Sequence, residues 1–377
     1  MTYLDNAATS FPKPEETIHA VNAFLSNIGG NPGRGGHPLS IDAARLVYEA
    51  REKLTSFVRG SRSERMIFTQ NGTDALNLAI LGLLNDNDHV ITTALEHNSV
   101  MRPLDYLAKT RHVSVTVIPC SPDGALDMEA LKKAAGTKTR AVIVNHGSNV
   151  IGSVQPLSAI RAVIGDTTLI VDACQTIGNI PIDVEKERID LLCFSCHKAL
   201  FGIQGLGACY MQEGIDLVPL RFGGTGSRSE STEQPDMLPD KYESGTPNTP
   251  AIAGLLGGLT FIEQTGQPNI AAKKRAAAKK ILEGLRRNGR VRVYGAPENG
   301  DTLPILLMNI DGVEPSDVGY ECNRAGVCVR VGLHCAPVAH RTIGTFPRGA
   351  VRVSPGYFTS DDDIGRLLDV VNTIAGR

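Results

Sequence analysis

Between residues 66 and 210 short apolar runs alternate with amphipathic stretches, and this rhythm restricts the fold more than any other feature of the chain. The apolar runs at 66–68, 90–92, 113–118, 141–144 and 169–171 have strand length, and amphipathic stretches at 75–84 and 100–107 follow the first two. Strands alternating with helices predict repeated units around a mainly parallel sheet. Ligands of such sheets bind beyond the carboxyl ends of the strands. The residues able to do chemistry cluster there: Glu96 and His97, Asn149, Asp172 and Gln175, and Ser195 to Lys198.

Lys198 ends the run that begins at Ile189 and precedes Gly202, Gly205 and Gly207, so it is carried out of a buried strand into a glycine-rich turn. An amine that forms a Schiff base sits in such a place. The run 169–171 ends in Asp172, which puts an acid and an amine at neighbouring strand ends. Pyridoxal phosphate needs that pair, a lysine for its aldehyde and a carboxylate for its ring nitrogen. Taken singly, each residue also reads as an ordinary strand-end charge. Gly72 and Thr73 precede the stretch 75–84 and can present amides to an anion at a helix N-terminus, although a plain helix cap uses the same residues. Ser195 and His197 flank the lysine and can add a hydroxyl and an imidazole, and His97 can lie flat on an aromatic ring.

With 377 residues the chain has room for two or three structural units and a substantial core. Thirty-eight basic against forty acidic side chains, with no basic run, argue against a nucleic-acid partner. No uninterrupted apolar stretch reaches membrane-spanning length and no leader is evident, so a soluble, cytoplasmic protein is expected, with no membrane partner. In that setting the eight cysteines read as reduced thiols. The single C-x-x-C of Cys193 and Cys196 has no second pair to complete a zinc site, so no metal is expected. The glycine-rich segment 29–36 lacks the lysine and hydroxyl of a nucleotide loop and suggests a lip over a cleft. Around residues 221–250 the pattern breaks into Gly, Ser, Pro and Thr, a hinge. Beyond it a long helix over 252–285 and a smaller α+β arrangement are expected. The predicted division is a large cofactor-binding domain over 15–250 and a small domain formed by 1–14 and 251–377.

The ordered motifs Tyr3-Leu4-Asp5-Asn6-Ala7-Ala8, Asn71-Gly72-Thr73-Asp74, Glu96-His97-Asn98, Ser148-Asn149, Val171-Asp172-Ala173-Cys174-Gln175, Ser195-Cys196-His197-Lys198, Gly245-Thr246-Pro247-Asn248-Thr249 and Arg330-Val331-Gly332-Leu333-His334-Cys335-Ala336 span nearly the whole chain. Together with Arg352 they resemble the cysteine desulfurase and selenocysteine lyase family, of the class V aminotransferase type. The resemblance implies the type I fold of pyridoxal-phosphate transferases, an α/β fold with a mainly parallel seven-stranded sheet. It also implies a homodimer in which Gly245 and Thr246 reach the phosphate of the neighbouring subunit. Lys198 would bond the cofactor, Asp172 pair with its ring nitrogen, Gln175 and Asn149 address its phenolic oxygen, and His97 stack on the ring. Gly72, Thr73, Ser195 and His197 would hold the phosphate.

By the same resemblance Arg352 grips the substrate carboxylate, with Asn149 and Arg330 nearby, and Cys335 is the nucleophile. A free thiol is only a few per cent thiolate at neutral pH, so a local cation should help, and His334 and Arg330 lie closest in sequence. The implied reaction converts L-cysteine to L-alanine and leaves a persulfide on Cys335 for an acceptor protein or small thiol. The short segment between Cys335 and Arg352 resembles the group with a compact cysteine loop. Selenocysteine is the close alternative substrate. Transamination, racemisation and β-elimination share the cofactor, and a scaffold that kept the fold is the non-enzymatic alternative. Cys174 and Cys196 replace smaller residues of the family pattern, as inert packing or as thiols that divert sulfur, and Ile203 replaces a frequent proline.

Overall fold

The computed structural model describes residues 1–33, 35–136, 138–295 and 302–376. A short strand β1 (Thr2–Tyr3) and two helices, α1 (Glu15–Ala23) and α2 (Pro38–Phe57), precede the large sheet. Its strands are β2 (Met66–Thr69), β3 (His89–Thr93), β4 (Ser114–Ile118), β5 (Thr139–Asn145), β6 (Thr168–Asp172), β7 (Leu191–Ser195) and β8 (Gly207–Met211). They lie in the order β2-β8-β7-β6-β5-β3-β4, with β8 antiparallel to both neighbours and the rest parallel. The mainly parallel sheet expected from the alternation is therefore present, with the seven strands that the family resemblance implies.

The apolar runs are continuous because helices cover both faces of this sheet. Val142, Val144, Leu169, Val171, Leu192 and Phe194 enter one core, while Ala141, Ile143, Ile170, Leu191 and Cys193 enter the other. Successive residues thus feed opposite layers, and full burial of each large aliphatic side chain contributes roughly 1.5–3 kcal/mol. Helices α3 (Gly72–Leu83) and α4 (Asn98–Thr110) cover the second face. Helix α2 covers the first, together with α5 (Met128–Ala134) and α6 (Leu157–Ile164).

After the irregular segment up to residue 248 the chain forms α7 (Thr249–Thr265) and α8 (Gln267–Arg286). This corrects the single helix expected over 252–285. Gly266 stands between the two with φ +85°, outside helical geometry, and Pro268 in the first turn of α8 has no amide to continue the α7 ladder. Ala251, Ile252, Leu255 and Leu259 of α7 pack into the large-sheet core.

A four-stranded antiparallel sheet in the order β12-β13-β10-β9 forms the smaller unit, with β1 paired to β11 beside it. The four strands are β9 (Val291–Tyr294), β10 (Leu306–Ile310), β12 (Arg330–Gly332) and β13 (Ala350–Val353), and β11 (Val327–Cys328) belongs to the separate pair with β1. Helices α8, α9 (Pro315–Arg324) and α11 (Asp361–Ala375) cover it through Ile281, Val318, Cys322, Leu367 and Val371. Between β12 and β13 lies the short helix α10 (Pro337–Thr342). A separate apolar cluster of Leu95, Val150, Ile151, Leu307, Ala336 and Ala339 seats the loop before α10 on the strand ends of the large sheet. Among the described residues no helix is long and apolar enough to cross a membrane.

Candidate active site

One cavity of about 130 Å³ lies at the carboxyl ends of the large sheet, lined among others by Gly72, Thr73, His97, Asn149, Asp172, Gln175, Ser195, His197 and Lys198. Sequence spacing had marked all nine. Asp172 ends β6 in register with Asn145 and Cys193, and its Oδ1 accepts from the amide of Cys174 at 2.9 Å. Gly72 opens α3, and a Cβ there would stand 2.5 Å from the Cys174 Sγ and 3.3 Å from the Ser195 amide. Only a glycine lets the helix start approach so closely. The Ser195 hydroxyl is buried and has no hydrogen-bond partner.

His97 caps α4: its Nδ1 accepts from the amide of Ser99 at 3.0 Å and meets the Ser99 hydroxyl at 2.8 Å. An accepting Nδ1 makes this ring a neutral Nε2–H tautomer, and burial lowers its pKa, opposed by Asp172 and helped by Lys198. Ser99 in turn meets the Thr73 hydroxyl at 2.7 Å, so Thr73 and His97 are tied through one serine. Ser99 was not legible as a site residue. Its signal was the Glu96-His97-Asn98-Ser99 run, where a cap and its neighbour enter a helix together.

The carbonyl of His197, one residue before Lys198, is held by the N-terminal segment. It accepts from Lys13 Nζ at 2.8 Å, Thr9 Oγ1 at 3.1 Å, and the Ser10 amide and hydroxyl at 3.2 Å each. Gln175 donates to the Ala7 carbonyl at 2.9 Å. Burial lowers the Lys13 pKa to about 8.

Cys335 opens into an adjoining cavity of about 590 Å³ that shares Thr73, His97 and Ser99 with the first. Its loop is fixed by its carbonyls: that of Cys335 accepts from the Asn98 amide at 2.8 Å, that of His334 from Asn149 Nδ2 at 2.8 Å. Both residues hold a left-handed backbone, φ +50° and +56°, at a cost of about 1–2 kcal/mol each. His334 is not the cation expected beside the thiol. It is buried, and desolvation with the nearby Arg352 lowers its pKa to about 3. Arg330 pairs through its Nε with Asp5 at 3.1 Å. The guanidinium that shares a cavity with Cys335 is Arg102 of α4.

Arg352 is 3% exposed and already engaged: one amino group donates to the Asn149 carbonyl at 2.9 Å, another meets Asp5 at 2.8 Å, while Nε has no partner. Asp5, which the sequence marked only as part of a motif, bridges Arg352 and Arg330. Gly245 and Thr246 are not brought to the Lys198 cavity of the same chain. They line a separate one with Asn71, Arg221 and Glu243.

Three further findings concern buried groups. Glu96 is wholly buried, with Oε1 accepting from Thr93 and the Asn145 amide at 2.8 Å each and Oε2 unpartnered, and desolvation raises its pKa to about 8. Asn145, on no list of sequence candidates, lines the Lys198 cavity and has an unpartnered Oδ1. The thiols of Cys174 and Cys196 are pushed well above the ordinary thiol range by burial and stay protonated.

A lysine and an acid at adjacent strand ends of a seven-stranded sheet, with a helix N-terminus opposite, define the type I fold of pyridoxal-phosphate transferases. The sequence agrees: residues 2–367 match the class-V aminotransferase family, to which the chain belongs. Within that family it groups with the cysteine desulfurases. It is 30% identical to the cysteine desulfurase of Haloferax volcanii, covering 99% of this chain and 89% of that protein. It is 32% identical to a probable cysteine desulfurase of Methanothermobacter thermautotrophicus, covering 99% and 94%. Among solved structures, the apo cysteine desulfurase from Thermococcus onnurineus NA1 superposes with a TM-score of 0.92 at 29% identity, over 99% of this chain and 94% of that one.

Proposed function

We propose that this chain is a pyridoxal-phosphate-dependent cysteine desulfurase that converts L-cysteine to L-alanine and collects the sulfur on Cys335. One observation carries this reading above the rest: an exposed cysteine opens into a cavity that shares Thr73, His97 and Ser99 with the cavity of Lys198 and Asp172. The donor set fits the cofactor. An unpartnered buried hydroxyl on Ser195 lies beside the N-terminus of α3, a natural anion site, and Asp172 lines the same cavity with a carboxylate suited to a ring nitrogen.

When bound, the cofactor supplies an electron sink next to the substrate α-carbon. Lys198 would hold its aldehyde, and the Lys198 Nζ would accept the α-proton of the substrate. Gly72, Thr73, Ser195 and His197 would hold the phosphate, and the neutral His97 ring would meet the cofactor ring without adding charge. Gln175 and Asn149 would address the phenolic oxygen. Arg352, with Nε unengaged, orients the substrate carboxylate. The Cys335 thiolate attacks the substrate sulfur: an S–S bond forms, the C–S bond breaks, and the electron pair left on carbon takes up a proton to give alanine. An acceptor protein or small thiol then removes the outer sulfur from the persulfide.

The same reading makes the protein a cytoplasmic homodimer, with Gly245 and Thr246 of one subunit reaching the phosphate site of the other. The large part over 15–250 holds the cofactor, and 1–14 with 251–377 carries the cysteine loop. Purified protein is expected to be yellow and to release equimolar alanine and sulfide from L-cysteine with a reductant. Cys335→Ala should keep the colour and lose the sulfide. Normal turnover by that variant would overturn the assignment of Cys335, and pyruvate with ammonia as products would overturn the reaction.

A further inference from the structure

We propose that Thr345, His340 and His334 form a one-directional hydrogen-bond chain that positions the Cys335 loop, with both imidazoles neutral and carrying their proton on Nε2. The inference rests on the reading of Cys335 as the sulfur-accepting residue, and names what holds that thiol in place.

The direction follows from the acceptor at the end of the chain. His334 Nε2 lies 3.3 Å from the carbonyl oxygen of Arg330, which can only accept, so this nitrogen carries a hydrogen. In a neutral ring the other nitrogen, Nδ1, is then an acceptor. It lies 3.1 Å from His340 Nε2, which must donate. His340 Nδ1 is in turn an acceptor, 2.7 Å from the Thr345 hydroxyl, whose proton points to it. That hydroxyl's other contact, the His340 carbonyl at 3.4 Å, is much longer. The two ring planes differ by only 20°, with centroids 5.3 Å apart.

The surroundings favour this state. His334 and His340 are both buried, His340 completely. Arg352 and Arg330 both oppose a positive charge on His334.

The chain does something the loop needs. His334 and Cys335 are consecutive residues in left-handed backbone, so the turn persists only while its surroundings hold it. Asn149 and Asn98 hold its carbonyls, Ala336 seats it in an apolar cluster, and the imidazole chain anchors the buried His334 ring to α10 and to the turn after it. Neither histidine lines the cavity into which Cys335 opens. They are positioning residues, acting through the backbone of the thiol.

The test uses the holoenzyme. In ¹⁵N-histidine-labelled wild-type protein at neutral pH, two imidazoles assigned by His334→Gln and His340→Gln should give neutral Nε2–H signatures. An Nδ1–H or a cationic ring at either site overturns the proposal without any variant having to function. His340→Leu should then lower kcat by about 10²-fold, the loss expected when a reacting group shifts by an ångström, with KM little changed. His340→Gln, whose amide can still donate to His334 Nδ1, should recover most of it. A His340→Leu enzyme with wild-type kcat, or a His340→Gln enzyme no better than His340→Leu, also overturns the proposal. Should Cys335→Ala retain normal desulfuration, the reading of the nucleophile fails, while the imidazole signatures still report the chain by themselves.

Discussion

The two halves of the site are built on opposite plans. At the strand ends around Lys198 polar groups stand open: the Ser195 hydroxyl, the side-chain oxygens of Asn145 and Asn149, and one oxygen of Glu96 have no partner within the protein. Around Cys335 the reverse holds, because the carbonyls of His334 and Cys335, both imidazoles, and Asp5 are engaged by neighbouring residues. Buried polar atoms left open are costly unless something else meets them. The first half is shaped around a ligand, and the second is shaped to keep a turn in a conformation it would otherwise leave.

Removing one residue from each half gives the sharpest contrast. Lys198→Ala should lose the visible absorbance of bound cofactor and roughly 10²–10⁴-fold or more of turnover, as general-base removal does, with little change in melting temperature. Retention of colour and rate would break the comparison at its open end. Asp5→Ala should act differently. It leaves the guanidinium of Arg352 buried without its counter-charge, and a loss of about 3 kcal/mol in urea unfolding is expected. A variant as stable as wild type would mean that the closed half is not held by this bridge.

An effect on stability that varies with pH separates the halves further. Glu96 has a folded pKa of about 8 against an ordinary value of 4.5, so the folded chain binds a proton that the unfolded chain releases across that interval. Its contribution is full below about 4.5 and declines as pH rises through about 8. Glu96→Gln, which keeps the neutral form, should therefore gain stability relative to wild type between pH 5 and pH 8 in denaturant titrations. A difference that is flat with pH would show that the acid is ionised in the folded protein. His334 has the opposite sign. Its pKa falls from 6.5 to about 3, so its contribution is present above 6.5 and declines as pH falls toward 3. The smallest expected effect is that of Cys174→Ser. With its thiol held protonated by burial, turnover with cysteine should be unchanged, and a lost activity would make this thiol part of the chemistry.

The sequence was most legible where function and local pattern coincide. Asp172 and Lys198 were visible because β6 and β7 are short apolar runs that stop at a charge, and a strand end is a local signal. Thr73 and Gly72 were visible for the same reason, at the start of a helix. The split between α7 and α8 was written locally as Gly266 and Pro268, yet the alanine-rich stretch around them outweighed it. Asp5, by contrast, meets Arg352 across 347 positions, and His334 meets His340 only because the turn at Cys335 folds one back on the other. Periodicity carries no trace of such pairings. A cation for Cys335 was sought among its neighbours in sequence, whereas the guanidinium that lines the cavity of Cys335, Arg102, lies on α4.

The clasp of Thr9, Ser10 and Lys13 on the carbonyl before Lys198 has a consequence for biosynthesis. The same N-terminal segment is anchored through Asp5 to Arg352 and through Thr2 to Asp363. On the ribosome, a nascent chain can form its large sheet once residue 211 is made, but the segment that braces the turn of the reactive amine finds its own anchors only after about 140 further residues have followed.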